Sequence, residues 1–546
     1  MSRYKNGWLW IAALVGLALF LIVNVAPIVS GDQPDAAKHA VDRSSAAEAA
    51  EQFVRERLGA EAELESFAMY AADRLAFGYF DQAGLLEGVL EAFRPVLPLE
   101  AYRVEVRDVG AGVTHFVDIN PYTGKPVEWE LARPLEAAAD AEELERIGRE
   151  TLAALGLTGA NAELAWTDGE AGEVGYRIAG GAFGGASAEL TVRGDAEGAS
   201  SVSVLWDVPD EYESKAAEQD ARAGILGSAG LLLSGALQFA AMIYALIQLK
   251  HVRWSRGVVM ALAFGLLYCA INVNMYPGLK ATALDIINGG AYWGLAELDP
   301  TATIAGLVAA LFVANALTLA LAIGLYFSVV AGDHLMRGQN ADVWPLPERP
   351  GYASHVLGSV GKGYLFALVL LGLQTILLLA ADRSLETWYT IDALTSANNM
   401  AYPALLPVLA WCAAVSEEGV YRLFAIPALK KLVRFTVPAV LISSLIWALG
   451  HVQYPIYPFY TRLFEVTVLG FAFAYIFLKH GFLPAVFAHA VVDLIWMGIS
   501  ITASSPTAAN FSLSALYLAS PLLVALAVRL RRRAATPPAA PPPEPA

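Results

Sequence analysis

The sequence predicts a polytopic α-helical membrane protein of about ten spans, with a soluble α+β domain inserted after the first span. Three observations predict it. The 546 residues are 56% hydrophobic and only 16% charged, whereas a soluble protein carries about 25% charge. Apolar runs of about 18–25 residues, long enough to cross a bilayer, recur through the chain. The net charge of −16 is also unevenly placed: residues 31–222 hold 38 Asp and Glu against 16 Lys and Arg. An acidic, solvated block is thus grafted on a mildly basic membrane body. So acidic a block argues against a nucleic-acid partner, and the lipid bilayer is the partner that the rest of the chain requires.

Residues 1–30 read as an N-terminal transmembrane anchor. Arg3 and Lys5 precede the apolar run Trp8–Val29. That run exceeds an ordinary signal-peptide core and ends without a clear Ala-x-Ala site. An uncleaved anchor is expected, a cleaved signal peptide being the alternative.

Residues 31–222 read as α+β. Ser44–Leu58 is an amphipathic helix, with Ala46, Ala49, Ala50, Phe53 and Val54 at helical spacing. Tyr102–Val106 and Thr114–Ile119 alternate as strands. Asn120–Gly124 is a turn, and a strand follows to Glu130. A second helix, Ala141–Leu155, precedes a strand-rich run ending at Ser201–Val208. The order helix-then-strands therefore occurs twice. His39 and His115 stand isolated, as surface or structural histidines, and no nucleophile–base pair is visible in this block. It has no cysteine, so its own core must hold it.

From Ala223 on, spans are expected near 224–249, 257–274, 302–331, 363–381, 401–428, 435–453, 463–479, 482–502 and 512–528. Residues 223–395 carry helices of unassigned role, 396–505 a polar helical core, 506–533 the last span and its basic end, and 534–546 a disordered Ala/Pro-rich tail. Alternation puts Lys250, Arg253, Arg256, Arg337, Arg349, Lys362, Lys430, Lys431, Arg434, Lys479 and the Arg529–Arg533 cluster on the side of Arg3 and Lys5. The other side receives Lys280, Arg383 and Arg462. By the positive-inside rule both termini are cytoplasmic and residues 31–222 extracytoplasmic.

The organising stretch is Trp411–Pro427, WCAAVSEEGVYRLFAIP. It carries Glu417, Glu418 and Arg422 inside a span, where each charge costs about 2.5–3.5 kcal/mol on insertion scales. The ionisable groups well inside spans form one short set: Glu417, Glu418, Arg422, His451, His489 and Asp493. Glu465, one turn from Arg462, reads as half of an interfacial pair. Glu418 and Arg422 are four apart and share a helix face, whereas Glu417 is rotated by about 100°. His489 and Asp493 are also four apart, a spacing that lets a carboxylate fix an imidazole tautomer. Trp447 precedes His451 by four and can stack on or beside it. Counting along the spans places these residues from mid-membrane toward the cytoplasmic half.

Glu417-Glu418-x-x-x-Arg422, then Trp447-x-x-x-His451, then His489-x-x-x-Asp493 resembles the three motifs of the CPBP intramembrane proteases. That superfamily includes the type II CAAX prenyl endopeptidases and bacteriocin-processing and self-immunity proteins. The resemblance covers about residues 400–500. It implies a glutamate-dependent endopeptidase acting on a protein or peptide substrate. Glu417 and His451 would activate water, His489 and Asp493 would form the oxyanion side, and Glu418, Arg422 and Trp447 would support the site. Two positions depart from the common pattern: Trp447 replaces Phe, and Asp493 replaces Asn. An ionised Asp493 would repel an oxyanion, so it is expected to act one step back, orienting His489. Phe116–Glu130 (FVDINPYTGKPVEWE) is similar to PepSY-type modules of bacterial extracytoplasmic proteins, which implies a bacterial membrane and a domain that restricts access or presents a partner.

Glu417, His451, His489 and Asp493 could also ligate zinc, but there is no His-Glu-x-x-His motif, and a metal-free site is expected. The competing classes are a non-proteolytic sensor or scaffold and a transporter. A transporter would show paired broken spans in two halves, which the sequence lacks.

Overall fold

The computed structural model describes residues 7–30, 39–58, 63–133, 140–157, 161–178, 183–287, 294–339 and 343–535. Arg3, Lys5 and the tail beyond residue 535 lie outside the described residues.

Helix α1 (Gly7–Ser30) is the first of eight helices among the described residues that are long and apolar enough to cross a membrane. It packs on α10 (Tyr352–Leu385). A Cβ on Gly16 would sit 2.2 Å from the Leu368 carbonyl oxygen, and one on Gly372 would sit 2.3 Å from the Gly16 Cα. Glycine at both positions lets the backbones touch, as in small-residue membrane crossings. Asn24 Nδ2 then donates to Thr375 Oγ1 at 3.0 Å.

The acidic block folds around one eight-stranded antiparallel sheet. Helix α2 (Arg43–Leu58) leads into β1 (Leu64–Ala72), β2 (Glu100–Asp108), β3 (Val113–Ile119) and β4 (Pro126–Glu130). Between β1 and β2 come two short helices, α3 (Arg74–Gln82) and α4 (Leu86–Phe93), which the sequence reading did not anticipate. Helix α5 (Ala141–Leu155) then leads into β5 (Ala162–Asp168), β6 (Glu173–Ile178), β7 (Ser187–Asp195) and β8 (Gly198–Asp207). The strand order is β1-β2-β3-β4-β8-β7-β6-β5. Two four-stranded meanders, each led by a helix, therefore meet at β4 and β8, with Trp129 opposite Val202. The alternation of apolar residues decides which face is covered. Val104, Val117, Trp129, Val192 and Val202 lie in one core with Ala50 and Val54 of α2 and Leu144 and Ile147 of α5.

His39 and His115 are less isolated than expected. His39 lies against the rings of Tyr70, Tyr102 and Tyr122 and 3.6 Å from Glu100. His115 is buried, and its Nδ1 accepts from the Ala132 N–H at 3.0 Å.

In the membrane body, α6 (Asp210–Ile247), α9 (Pro300–Gly338), α10, α11 (Pro403–Val433), α13 (Tyr460–His480), α14 (Phe482–Ser504) and α15 (Ala508–Ala535) join α1 as long apolar helices. Helices α7 (Val258–Asn274) and α8 (Tyr276–Ile287) form a pair bent by 54° and count as a ninth crossing if they are one span. The tenth expected span is α12 (Thr436–Leu449), of only 14 residues. At 1.5 Å per residue it is about 21 Å long, short of the hydrocarbon thickness of roughly 30 Å. After α12 the chain continues to a two-residue strand β10 (Ile456–Tyr457), which pairs with β9 (Trp388–Tyr389) after α10.

The sheet sits on this body. Phe67, Met69 and Phe116 of its uncovered face meet Ala281 and Leu284 of α8. Arg103 bridges Asp118 and Asp285 at 3.0 and 3.1 Å, and Lys280 pairs with Glu105. Asn399 donates to the Tyr70 carbonyl and accepts from the Tyr70 N–H, tying β1 to the approach to α11.

Candidate active site

Helix α11 changes character at the functional stretch. It is α-helical through Glu417, π-helical over Glu418–Ala425, and α-helical again from Ile426. Widened turns of this kind concentrate at functional sites. Here the widened turn separates the two glutamates. Glu417 faces a cavity and keeps 23% of its side-chain surface open, whereas Glu418 is fully buried.

Glu418 is the centre of the buried half. Its Oε1 lies 3.1 Å from Arg422 Nη1 and 2.9 Å from His489 Nδ1. The Arg422 guanidinium lies over the rings of Trp447, at 4.0 Å, and Phe473, at 5.0 Å. A cation held by a carboxylate and two aromatic faces is compensated for its burial. The i,i+4 pair read from the sequence is therefore present, with a second duty the sequence did not disclose.

Trp447 joins the open half. Its indole Nε1 donates to Glu417 Oε2. Its ring meets His451 edge-on at 5.2 Å and His489 at 5.9 Å. The ring stacked on His451 is that of Tyr454, 5.6 Å away. His451 Nδ1 lies 3.0 Å from the Trp447 carbonyl oxygen. A carbonyl only accepts, so Nδ1 carries the proton and Nε2 is left with its lone pair.

His489 presents Nδ1 to Glu418 and Nε2 to the cavity. Asp493 Oδ2 is 3.5 Å and Glu417 Oε2 3.7 Å from that Nε2. Asp493 was expected to orient His489. Asp493 does touch His489, at Nε2, and Glu418 makes a second and closer contact, at Nδ1. Asp493 borders the reactive nitrogen, with 25% of its side chain open.

These groups line one cavity of about 1340 Å³ that contains Glu417, Trp447, His451, His489 and Asp493 in its wall. Its polar wall holds the Arg462–Glu465 pair and two residues the sequence did not single out, Gln374 and Trp496. Arg462 Nη1 pairs with Glu465 Oε2 at 2.5 Å, Gln374 Nε2 donates to Glu465 Oε1 at 2.9 Å, and Trp496 Nε1 donates to Gln374 Oε1 at 3.0 Å. Glu465 is 1% exposed, and both members of the pair line the cavity near the start of α13. Gln374, a neutral amide inside an apolar span, was the available signal. α12 ends at Leu449, so His451 lies just beyond the helix, on the loop that leads to β10.

Residues 399–495 match the family model for Rce1-like type II CAAX prenyl endopeptidases. The C-terminal region thus carries a domain of CAAX-protease type, and the matched residues include all three motifs that line the cavity. No curated protein and no solved structure matches the chain. The apolar helices, together with the family match over residues 399–495, mark a multi-pass membrane protein.

Among the described residues no three His, Cys, Asp or Glu side chains come together in a way that could hold an ion.

Proposed function

We propose that the protein is an intramembrane endopeptidase that hydrolyses a peptide bond of a membrane-associated protein or peptide with glutamate-activated water. The observation that carries this reading is the convergence on Trp447: one indole donates to Glu417 and lies against both His451 and His489.

Water between Glu417 and His451 Nε2 loses a proton to this pair as its oxygen attacks the scissile carbonyl carbon. The carbonyl oxygen becomes an oxyanion beside His489. With a proton on each ring nitrogen, His489 spends Nδ1–H on Glu418 and offers Nε2–H to the oxyanion. One preorganised donor of this kind is worth about 2.7–4 kcal/mol in a dry site. Collapse of the tetrahedral intermediate breaks the C–N bond, and the amine leaves with the proton that water gave up. Glu418 and Arg422 position His489. Asp493 confines its Nε2 and holds no oxyanion itself.

In the same reading the chain crosses the bilayer ten times, with both termini cytoplasmic and the sheet domain outside. The duplicated helix-and-meander order supports the PepSY-type reading of that domain. Glu417→Gln is the direct test: cleavage of a co-expressed membrane substrate library should fall by at least a thousandfold. Processing that survives this substitution would leave a non-proteolytic scaffold as the better account.

A further inference from the structure

The cavity has a second end. Beside Glu417, His451 and His489, its wall includes Phe77 and Asp81 of α3, Gly84, and Leu86 and Glu87 of α4. Those two helices belong to the sheet domain. The opposite end is shut. Every residue from Phe482 to Val491 is buried, and so is every residue from Leu423 to Pro427. Arg422, with Trp447 and Phe473 under it, plugs the same floor.

Helices α3 and α4 are held on two sides: Phe80, Leu90 and Phe93 pack into the core of the sheet domain, and the other side meets the membrane body. Asp81 Oδ2 accepts the Tyr389 N–H at 2.7 Å, and Arg74 Nη1 donates to Tyr457 Oη at 2.6 Å. Arg74 also pairs with Asp220. Tyr389 and Tyr457 form the β9–β10 ribbon, so α3 rests on that ribbon. The turn into α4 overhangs: Glu87 is exposed, and a Cβ on Gly84 or Gly88 would meet nothing within 4 Å. A roof seated on the sheet core and the ribbon, with an exposed turn at its lip, covers a chamber larger than the roughly 300–1,000 Å³ of a small-molecule site.

We infer that substrate reaches Glu417 only from the side of the bilayer that holds the sheet domain, as an extended peptide segment passing under the α3–α4 lip, and that this lip excludes folded protein. The inference rests on the proposed protease reading for its substrate, but not for its geometry. Short helix α12 supports it: the loop after Leu449 opens the chamber on that side, and His451 stands on the loop.

The test measures access without needing a substrate. Full-length protein carrying Cys269→Ser and Cys412→Ala receives Glu417→Cys as a reporter. It is placed in proteoliposomes sorted by which side the sheet domain faces. The probe is 2-(trimethylammonium)ethyl methanethiosulfonate, cationic because the wall carries six carboxylates and one arginine. Modification of the reporter thiol should be at least tenfold faster from the sheet-domain side. Equal rates, or faster reaction from the other side, would overturn the route. Adding Glu87→Trp should slow the reaction at least fivefold, and no slowing would overturn the role of the lip. Asp493→Cys reports the same chamber if Glu417→Cys does not fold. Failure of the protease reading, seen as cleavage indifferent to Glu417→Gln, leaves these labelling rates unchanged, so the two ideas fail separately.

Discussion

Glu418 accepts a hydrogen bond from His489 Nδ1 at 2.9 Å while holding Arg422 at 3.1 Å. One buried carboxylate thus fixes both the orientation of an imidazole and the position of a guanidinium. Removing it leaves an uncompensated buried cation, which costs about 3–5 kcal/mol. Glu418→Ala should lower the thermal midpoint in detergent sharply, and an unchanged midpoint would refute the assignment. Glu418→Gln keeps the shape, so stability should suffer less. Misplacement of His489 should still cost on the order of 10²-fold in kcat.

Trp447→Phe keeps a ring under Arg422 and removes only the donor to Glu417. Hydrogen bonds to charged groups contribute about 1.5–3 kcal/mol. Activity should therefore fall by about 10–100-fold, with expression and stability close to those of the parent. Full activity in this variant would show that the indole N–H has no part in catalysis.

Chelators offer a clean contrast. Among the described residues no three His, Cys, Asp or Glu side chains are grouped so as to hold an ion. Cleavage should continue after prolonged treatment with EDTA or 1,10-phenanthroline. Loss of activity restored by added zinc would replace the mechanism given above.

Glu128 of β4 accepts from the Val204 N–H across the β4–β8 seam at 2.9 Å. Burial, then the charge of Asp118, pushes its carboxyl up to about 8. The same group in an unfolded chain releases its proton near 4.5. Between these values the folded state holds a proton that the unfolded state has lost. Stability linked to this group is therefore full below about pH 4.5, falls as pH rises to about 8, and is flat above. Hydrogen exchange of the β4 and β8 amides, corrected for intrinsic rate, should show that slope. Glu128→Gln should abolish it, and an identical slope in the variant would exclude Glu128 as its source.

Gly16 and Gly372 touch at the crossing of α1 and α10. Gly372→Leu should separate these helices and break the Asn24–Thr375 bond. A disulfide introduced between the helices, formed readily in the parent, should fail to form in the variant. Its normal formation would mean that the crossing tolerates the bulk.

Much of this was legible because membranes and sheets impose strict periods. The two long helices of the acidic block, its alternating strands and the placement of the apolar spans all follow from hydrophobic spacing. The polar set also stood out, since an ionisable group in an apolar span has few reasons to be there. Three features escaped. Helices α3 and α4 are only nine and eight residues long, too short for their apolar period to stand out in a window of about 11–18 residues. The π-turn at Glu418 leaves no trace in composition, yet it decides which glutamate meets His489. The early stop of α12 depends on where Trp447 and His451 find partners, and apolar run length alone extended it to residue 453.

Asn24 and Thr375 are separated by 351 residues in the chain, and their contact sets an order for biogenesis. At about 5–20 residues per second, the first helix waits roughly 20–70 s before its partner is made. For that interval an asparagine side chain resides in lipid, held by its own helix or by the insertion machinery. The wall that α1 contributes to the chamber is the earliest part synthesised and among the last to be seated.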